Sequence, residues 1–388
     1  MNGKTVATFA GVVLAAAALT GCGSKPVLGV LTPLTGPAKP YGQSMERAMK
    51  LALEQARKDG KAPASLQVFW EDSGSTPEKA ASACETLIKK DGAQLLVGAV
   101  TSGEAKALLP ILDATKTPCI SPSASAPDLT KKSPYFYRIF PSDELEGATA
   151  ARFLREDMTR STVVIYTDDT EHSRGIEPEF RQVYEQVLGG KVVGRVILTD
   201  PAWKEDSADI LASSNPQAVY IVAYAEPTLE VLRHLREQRF HGTVLATSAF
   251  YNGELIAKNP KLVDGVFFPQ PAFDVSDMRP AVRSFVEAYR KAYSQDPDIY
   301  AAHAYDAMNL AILVLTSTKT LQGPELKKTL QFGIQGFVGV TGAIQFDDYG
   351  DVHHNPIMYI IKDGKVYSYK KYVKKILQRL RRSIRSGS

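Results

Sequence analysis

The chain has 388 residues, of which 44% are apolar and 23% are charged, values that are ordinary for a globular protein. At roughly 150 residues per domain, this length predicts two domains. Eight basic residues and no acid follow position 369, so the formal net charge of +4 leaves −4 on the preceding residues. This distribution argues against a body that binds nucleic acid.

Residues 1–21 have the features of a secretory leader, with Lys4 as a sparse positive start and an apolar stretch over 5–19. The stretch is too short and too rich in alanine to be a membrane span. It ends in Leu-Thr-Gly-Cys, which looks like a bacterial lipobox, where the cysteine thiol takes a diacylglycerol. We therefore predict that Cys22 becomes the lipidated first residue of a membrane-anchored protein in the periplasm or on the cell surface. An uncleaved leader and cleavage by ordinary signal peptidase are the alternatives.

Short strand-like runs alternate with helix-length amphipathic runs along most of the chain. The strands predicted in the two halves of the pattern are 27–31, 66–71, 95–99, 118–121, 162–167, 192–198, 218–223 and 244–247. The helices predicted between them are 42–58, 77–90, 103–115, 171–188, 206–213 and 227–238. This alternation predicts two α/β lobes with parallel sheets, which bind ligands beyond the carboxyl ends of their strands.

Two turn-rich stretches, 138–144 and 268–274, are the predicted crossings between the lobes. The elements predicted after the second crossing are helices over 278–293 and 300–317, a strand over 343–346, and a hairpin over 358–368. The Asp-Gly pair within the hairpin is a strong local turn signal.

Cys84 falls on the buried face of a predicted helix, and Cys119 opens a predicted strand. An oxidising compartment would permit a bridge between them. Free cysteine is commonly a small buried apolar residue, and we predict two buried thiols, with a disulfide as the alternative.

Two hydroxyl-rich loops, 98–103 and 121–127, follow consecutive strands. In the first loop, Ser102 is expected to cap the next helix, whose free amides favour a carboxylate or another anion. The second loop contains Ser123 and Ser125, and parallel topology predicts that both loops lie at the same sheet edge. The alternative is that each serine only caps its own helix.

Several motifs in a fixed order make the chain resemble the type I periplasmic solute-binding proteins, in particular those similar to the leucine/isoleucine/valine-binding protein. The motifs are 34–37 with Tyr41-Gly42, Glu71-Asp72 with Pro77, 98–102, 120–127, 305–307 and 346–351. The resemblance, which covers about 27–368, implies two Rossmann-like α/β lobes joined by a three-strand hinge, with the ligand between them. The implied segments are 27–141 plus 269–341 for the first lobe, 142–268 plus 342–369 for the second, and 370–388 as a separate tail.

The resemblance also implies the ligand contacts. In the members that bind amino acids, the two hydroxyl-rich loops hold the ligand carboxylate. The residues that match these loops are Val100, Thr101, Ser102, Ser123 and Ser125. Tyr41, Tyr224 and Tyr300 match aromatic positions beside the ligand, with core packing as the alternative for each.

Two departures from the family pattern bear on the ligand. A Tyr-Gly pair is replaced by His172-Ser173, which makes His172 a candidate contact. The glutamate that pairs with a ligand ammonium is replaced by Ala249, and an unpaired ammonium in a closed cleft would be costly. The possible substitutes for that glutamate are Glu171, Glu226 and Asp306. With Phe250 as a further cleft aromatic, we predict a small carboxylate or polar-headed ligand with an apolar or aromatic body.

The sequence contains no Gly-x-Ser-x-Gly elbow, phosphate loop, HExxH or Cys-x-x-Cys motif. We therefore expect no enzymatic activity, cofactor or metal, although His353-His354 beside Asp347, Asp348 and Asp351 could suggest a metal loop. The predicted function is capture of a small carboxylate or amino-acid-like ligand by a monomer and its delivery to an ABC permease, through hinge closure. A sensory module of the same fold, coupled to a signalling partner, is the alternative.

The tail, 370–388, combines apolar residues at helical spacing with basic residues on the other face. The apolar residues are Val373, Ile376, Leu377, Leu380 and Ile384. This pattern is typical of a helix on anionic lipid, and the alternatives are a helix packed on the second lobe or a frayed end.

Overall fold

The computed structural model describes residues 25–386, so the predicted leader and the lipidated Cys22 lie outside the described residues. Twelve strands in this part of the chain form two sheets. The strands are β1 Val27–Thr32, β2 Gln67–Asp72, β3 Leu95–Gly98, β4 Cys119–Ser121, β5 Phe136–Arg138, β6 Thr162–Thr167, β7 Lys191–Ile197, β8 Ala218–Val222, β9 Thr243–Ala246, β10 Phe267–Gln270, β11 Ile357–Lys362 and β12 Lys365–Ser368.

Twelve α-helices surround these sheets in the same part of the chain, and several continue into a π-helical turn. They are α1 Lys39–Lys58, α2 Pro77–Glu85, α3 Ser102–Thr115, α4 Asp143–Arg152, α5 Glu171–Arg181, α6 Trp203–Ser214, α7 Ala225–Glu237, α8 Gly253–Lys258, α9 Pro280–Tyr293, α10 Ile299–Ser317, α11 Gly323–Lys328 and α12 Tyr369–Ser386.

The first lobe contains a fully parallel five-stranded sheet in the order β2-β1-β3-β4-β5. Along β1, Leu28 and Val30 pack toward α1 and α10, whereas Val27 and Leu31 pack toward α2 and α3. Both faces of the strand are therefore buried, which explains its continuous apolar sequence. Helix α10 is long and apolar enough by composition to cross a membrane, but 78% of its most apolar window is buried in the protein.

The second lobe contains a seven-stranded sheet in the order β12-β11-β10-β9-β8-β6-β7. Strands β6 to β10 are parallel, and the hairpin β11–β12 extends the sheet in antiparallel fashion. Its parallel strands follow the order β7-β6-β8-β9-β10, which corresponds to the order β2-β1-β3-β4-β5 of the first sheet. In open α/β sheets of this kind, loops at the carboxyl ends of the strands line the ligand crevice.

The predicted strands and helices of both parallel sheets are present with ends shifted by a few residues, but the strand predicted over 343–346 is absent. That segment makes only an isolated bridge at Ala343, and Ile344 and Phe346 pack in the core of the first lobe instead. The third crossing therefore follows Val352, which also packs in that core, rather than residue 341. Strand β10 belongs to the second sheet, so the second crossing begins after Gln270.

Cys84 and Cys119 are both free and buried, as predicted. Burial raises the pKa of the Cys84 thiol to about 12 and also raises the pKa of the Cys119 thiol. Both thiols are therefore neutral apolar residues of the core between the first sheet and helices α2 and α3.

Candidate functional site

The loops that follow β3 and β4 meet at one edge of the first sheet. The Ser102 hydroxyl accepts hydrogen bonds from the backbone N–H groups of Ser125 at 3.3 Å and Ala126 at 3.1 Å. The Ser123 hydroxyl donates to the carbonyl of Val100 at 2.6 Å. Four of the residues predicted to contact a ligand carboxylate are thus buried and link the two loops through separate hydrogen bonds.

The cap of α3 is Thr101, and the prediction that Ser102 caps this helix is wrong. The Thr101 hydroxyl accepts from the backbone N–H of Glu104 at 3.2 Å, and the Glu104 carboxylate accepts from the backbone N–H groups of Thr101 and Val100. This capping box was present in the sequence as Thr-x-x-Glu. Since Thr101 takes the capping role, Ser102 is free to join the two loops.

The turn after β3 depends on Gly98, which has a φ of +148°. A Cβ atom at this position would lie 2.2 Å from the carbonyl oxygen of Leu31 in β1. The following residue, Ala99, adopts a left-handed conformation with φ of 55°. The chain therefore leaves the sheet sharply, which directs 100–102 toward the other lobe.

The second loop is held from behind by a buried arginine. Arg138 at the end of β5 is fully buried and forms a bidentate ion pair with Asp351, with N–O distances of 2.6 and 3.0 Å. Its Nη1 donates to the carbonyl of Ala126 at 2.8 Å, and its Nη2, which also bonds to Asp351, donates to the hydroxyl of Thr130 at 2.7 Å. One side chain thus ties 126–130 to the segment before the third crossing.

From the second lobe, His172 in the first turn of α5 approaches the serine network. Its Nδ1 lies 2.9 Å from a carboxylate oxygen of Asp143 and 3.4 Å from the Ser125 hydroxyl. Burial alone would lower the pKa of His172, but the charge and hydrogen bond of Asp143, with weaker help from Glu146 and Asp168, raise it to about 9. We therefore expect His172 to be protonated at neutral pH, and its Nε2 has no hydrogen-bond partner within 25–386.

A second buried acid lies beside the position where the family pattern has its glutamate. Glu146 in α4 accepts hydrogen bonds from the backbone N–H of Ser248 at 2.7 Å and from its hydroxyl at 2.5 Å. Burial and the repulsion of Asp143 raise the pKa of Glu146 to about 7, although His172 and Ser248 oppose this. The carboxylate of Glu146 thus lies next to Ala249, but it already accepts two hydrogen bonds from Ser248.

The three predicted tyrosines lie between the lobes. Tyr41 of α1 accepts a hydrogen bond from the backbone N–H of Ala225 at 3.0 Å and donates to the carbonyl of Ala249 at 2.5 Å. Tyr300 of α10 donates to the carbonyl of Ser248 at 2.8 Å. The Tyr41 ring lies 5.2 Å from the ring of Tyr300 and 5.9 Å from that of Tyr224, and both pairs are edge-to-face. The lobes are therefore in direct contact through aromatic residues.

A cavity of about 430 Å³ lies between the lobes beside this cluster. Four predicted residues line it, namely Tyr41, Thr101, His172 and Tyr224. The apolar part of its wall is formed by Pro37, Pro40, Pro77, Pro227 and Leu255. Phe250 does not line this cavity and packs in the core of the second lobe, with its ring 6.1 Å from that of Phe268.

The three acids considered as substitutes for the family glutamate occupy different places. Glu226 lines the cavity, and Glu171 also lines it but is paired with Lys106 at 2.9 Å. Asp306 instead accepts hydrogen bonds from the backbone of Val340 and from Thr341, inside the first lobe. Asp306 is therefore remote from the cleft.

Sequence reasoning missed the acids behind His172. Asp143 and Glu146 both lie in the first two turns of α4, directly after the first crossing. A serine followed by several acids is a helix-start signal, and such a start after a crossing places the acids at the cleft. Asp168, at the end of β6, was also missed, and its oxygens accept from the backbone N–H groups of Thr170 and Tyr224.

The side chains of His353 and His354 contact different partners. His353 lies 3.0 Å from a carboxylate oxygen of Asp347, and His354 bonds to the carbonyl of Ala343. Over the region that the structure covers, there is no group of three or more His, Cys, Asp or Glu side chains that could hold a metal ion.

Known proteins resemble this chain over both lobes. The family model described as periplasmic binding protein matches residues 26–365. The leucine-, isoleucine-, valine-, threonine-, and alanine-binding protein of Pseudomonas aeruginosa is 24% identical over 325 residues, which cover 82% of this chain and 85% of that protein. The leucine binding protein LivK from Thermotoga maritima has a TM-score of 0.81 at 24% identity, covering 88% of this chain and 97% of that chain. The solute binding protein of an ABC transporter from R. palustris, solved with benzoate, has a TM-score of 0.76 at 20% identity and covers 88% and 95%.

Proposed function

Because this chain belongs to the periplasmic binding protein family, we propose that it captures a small organic acid outside the cytoplasm and delivers it to an ABC importer. The chain would be anchored to the membrane through a lipid on Cys22, as the lipobox-like sequence suggests. The ligand would be held by contacts from both lobes, so binding favours the closed form without any covalent step.

The observation that carries the choice of an acid is His172. Its side chain is 4% exposed, Asp143 favours its protonated form, and its Nε2 has no partner in the region described. Although Nδ1 of His172 is paired with Asp143, its free Nε2–H can donate a charge-assisted hydrogen bond to a carboxylate, and such bonds are about twice as strong as neutral ones. The hydroxyl groups of Ser102 and Ser125 lie in the same network and can add donors.

The three acids that act on His172 do not by themselves favour an amine, because each already has hydrogen-bond partners. Asp143 is already paired with His172, Glu146 is held by Ser248, and Asp168 accepts several local hydrogen bonds. A ligand ammonium near the serine network would also face the positive charge of His172. A zwitterionic amino acid should therefore bind less tightly than the acid that lacks its ammonium group.

The cavity favours an apolar or aromatic body on the ligand. Its volume of about 430 Å³ falls in the ordinary range of small-molecule sites, and prolines, Tyr41 and Tyr224 form much of its wall. The solved relative with benzoate shows that this fold can hold an aromatic acid, while other relatives are named for leucine. Micromolar affinity needs about 8 kcal/mol, toward which burial of one ring contributes about 1.5–3 kcal/mol and a charged hydrogen bond about 1.5–3 kcal/mol, and further contacts from the two lobes would supply the rest.

Three ligands with one phenyl body and different head groups test the proposal: 3-phenylpropionate, phenylalanine and phenethylamine. Isothermal titration calorimetry at pH 7.5 should find that the acid binds at least about tenfold more tightly than the zwitterion, with the amine weakest. A broader thermal-shift screen of aromatic and aliphatic acids would then show which apolar part of the ligand stabilises the protein most. Tight binding of leucine or phenylalanine without binding of any acid would refute the acid proposal.

The anchor can be tested separately. The full chain and its Cys22→Ser variant should be expressed in a bacterium fed with labelled palmitate. We expect palmitate label on the wild type only. Equal label in both would show that Cys22 is not the acylated residue.

A further inference from the structure

Helix α12 has an apolar side and a basic side. On a helical projection, Tyr369 and the aliphatic residues fall within an arc of roughly 100°, and Tyr372 lies about 40° beyond its edge. The residues of this arc whose side chains the structure describes are Tyr369, Val373, Ile376, Leu377 and Leu380. The six basic residues of this helix whose side chains the structure describes project outside this arc, and the sequence of the helix contains no acid.

The first turn of α12 is fixed to the second lobe. The Tyr369 ring packs edge-on against the rings of Phe153 at 5.2 Å and Phe267 at 5.6 Å. Lys371 forms an ion pair with Asp274, which lies in the second crossing. The helix therefore starts at a defined place, directly after the edge strand β12.

The apolar side continues past the point where the body covers it. Val373 and Ile376 are partly buried, but Leu377 is 50% exposed and Leu380 is 55% exposed. Lys374, next to this stripe in sequence, is exposed as well. An isolated exposed leucine needs no explanation, but a regular stripe beside a block of basic residues is typical of a helix that lies in a lipid interface.

We propose that α12 binds an anionic lipid surface, with Leu377 and Leu380 inserted below the headgroups and the basic side facing the lipid phosphates. The charges favour this occupant, because the rest of the chain carries −4 and would be repelled by such a surface. Pairing with the tail of a second copy would instead bring eight positive charges against eight. Because α12 follows the edge of the second sheet, this contact would hold the second lobe at the membrane.

The test uses the chain from Lys25 to Ser388, which contains the whole described fold and cannot be acylated at Cys22. Co-sedimentation is measured with vesicles of phosphatidylcholine alone and of an equal mixture with phosphatidylglycerol. Binding should require the anionic lipid and should weaken as salt rises. Equal binding to both kinds of vesicle would overturn the proposal.

Two double variants separate the apolar and the charged contributions. Leu377→Gln with Leu380→Gln keeps the charge and should lower partitioning at least roughly tenfold. Lys374→Gln with Lys375→Gln keeps the stripe and should lower it roughly 30-fold. Gln378→Ala, on the polar side, is the matched control and should bind as the wild type does.

The outcomes are distinct. Wild-type partitioning of the leucine variant would mean electrostatic adsorption only and would overturn insertion of the helix. A dimer in light scattering that the leucine variant abolishes, with no vesicle binding, would identify a second copy as the occupant. Calorimetry with the acid ligand should be unchanged in every variant, so this result is independent of the proposed solute-binding function.

Discussion

Asp143→Asn should give ligand binding a new dependence on pH. Asp143 is the strongest of the groups that raise the pKa of His172 to about 9, and Glu146 and Asp168 contribute less. Without the charge of Asp143, only the smaller effects of Glu146 and Asp168 oppose burial, which lowers the pKa of His172. We therefore expect this pKa to fall to its ordinary value of 6.5 or below. The protonated histidine then becomes a minor species at neutral pH.

The magnitude follows from these two values. At pH 7.5, a histidine of pKa 9 is about 97% protonated, whereas one of pKa 6.5 is about 9% protonated. If the carboxylate binds only the protonated form, affinity for an organic acid should fall about tenfold at pH 7.5 and recover near pH 5.5. In the wild type, the corresponding loss should appear only as pH rises through about 9, because the raised pKa keeps the proton on His172 below that point.

The assay is calorimetric titration with 3-phenylpropionate, or the best acid from the screen, between pH 5.5 and 9.5. Histidine ring NMR signals give the pKa of His172 independently of the ligand. Glu144→Gln is the matched control, since this acid lies in the same helix turn as Asp143 but is exposed. Equal affinity of Asp143→Asn and the wild type at pH 7.5, with an unchanged pH profile, would refute the role given to His172.

Three further substitutions test the scaffold. Arg138→Met should destabilise the protein by about 3–5 kcal/mol in chemical denaturation, because Asp351 is left as an unpaired buried charge, and adding Asp351→Leu should restore most of the loss. Tyr41→Phe removes the hydroxyl that joins the lobes and should weaken ligand binding by about 1–3 kcal/mol while X-ray scattering shows a more open form; an unchanged affinity would contradict that role. Gly98→Ala should cost about 1–3 kcal/mol more than Gly60→Ala, since both have positive φ but only Gly98 has a carbonyl within 2.2 Å of the added Cβ.

The sequence was sufficient to predict four of the five parallel strands in each sheet, because buried strands and amphipathic helices have local patterns, but β5 and β10 were not predicted. It was insufficient for 343–346, where apolar and polar residues alternate as in a strand. In the structure this segment does not join a sheet, and Ile344 and Phe346 pack into the core of the first lobe. The nearby ion pair of Arg138 and Asp351 fixes that segment, and such a contact between distant residues has no local signature. Tertiary packing therefore decided the structure of this loop against its own pattern.

The candidate site also contains features that the sequence could predict and features that it could not. Ser102 and Ser125 could be placed together because consecutive parallel strands end at one edge. The state of His172 could not be predicted, because it depends on Asp143, an acid 29 residues earlier in another helix. A spacing argument finds which loops converge, but the protonation of a buried group requires the positions of all its charged neighbours.

The position of His172 also explains how binding and closure can be coupled. Its acid partner Asp143 belongs to the same lobe, whereas its hydroxyl neighbour Ser125 belongs to the other. Opening of the cleft would hydrate the ring and weaken its attraction for a carboxylate, since charges interact more strongly in a dry, low-dielectric site. An acid bound to the first-lobe serines would thus gain most from His172 only after closure. The free energy of closing the cleft would then come from the same ion contact that selects the ligand.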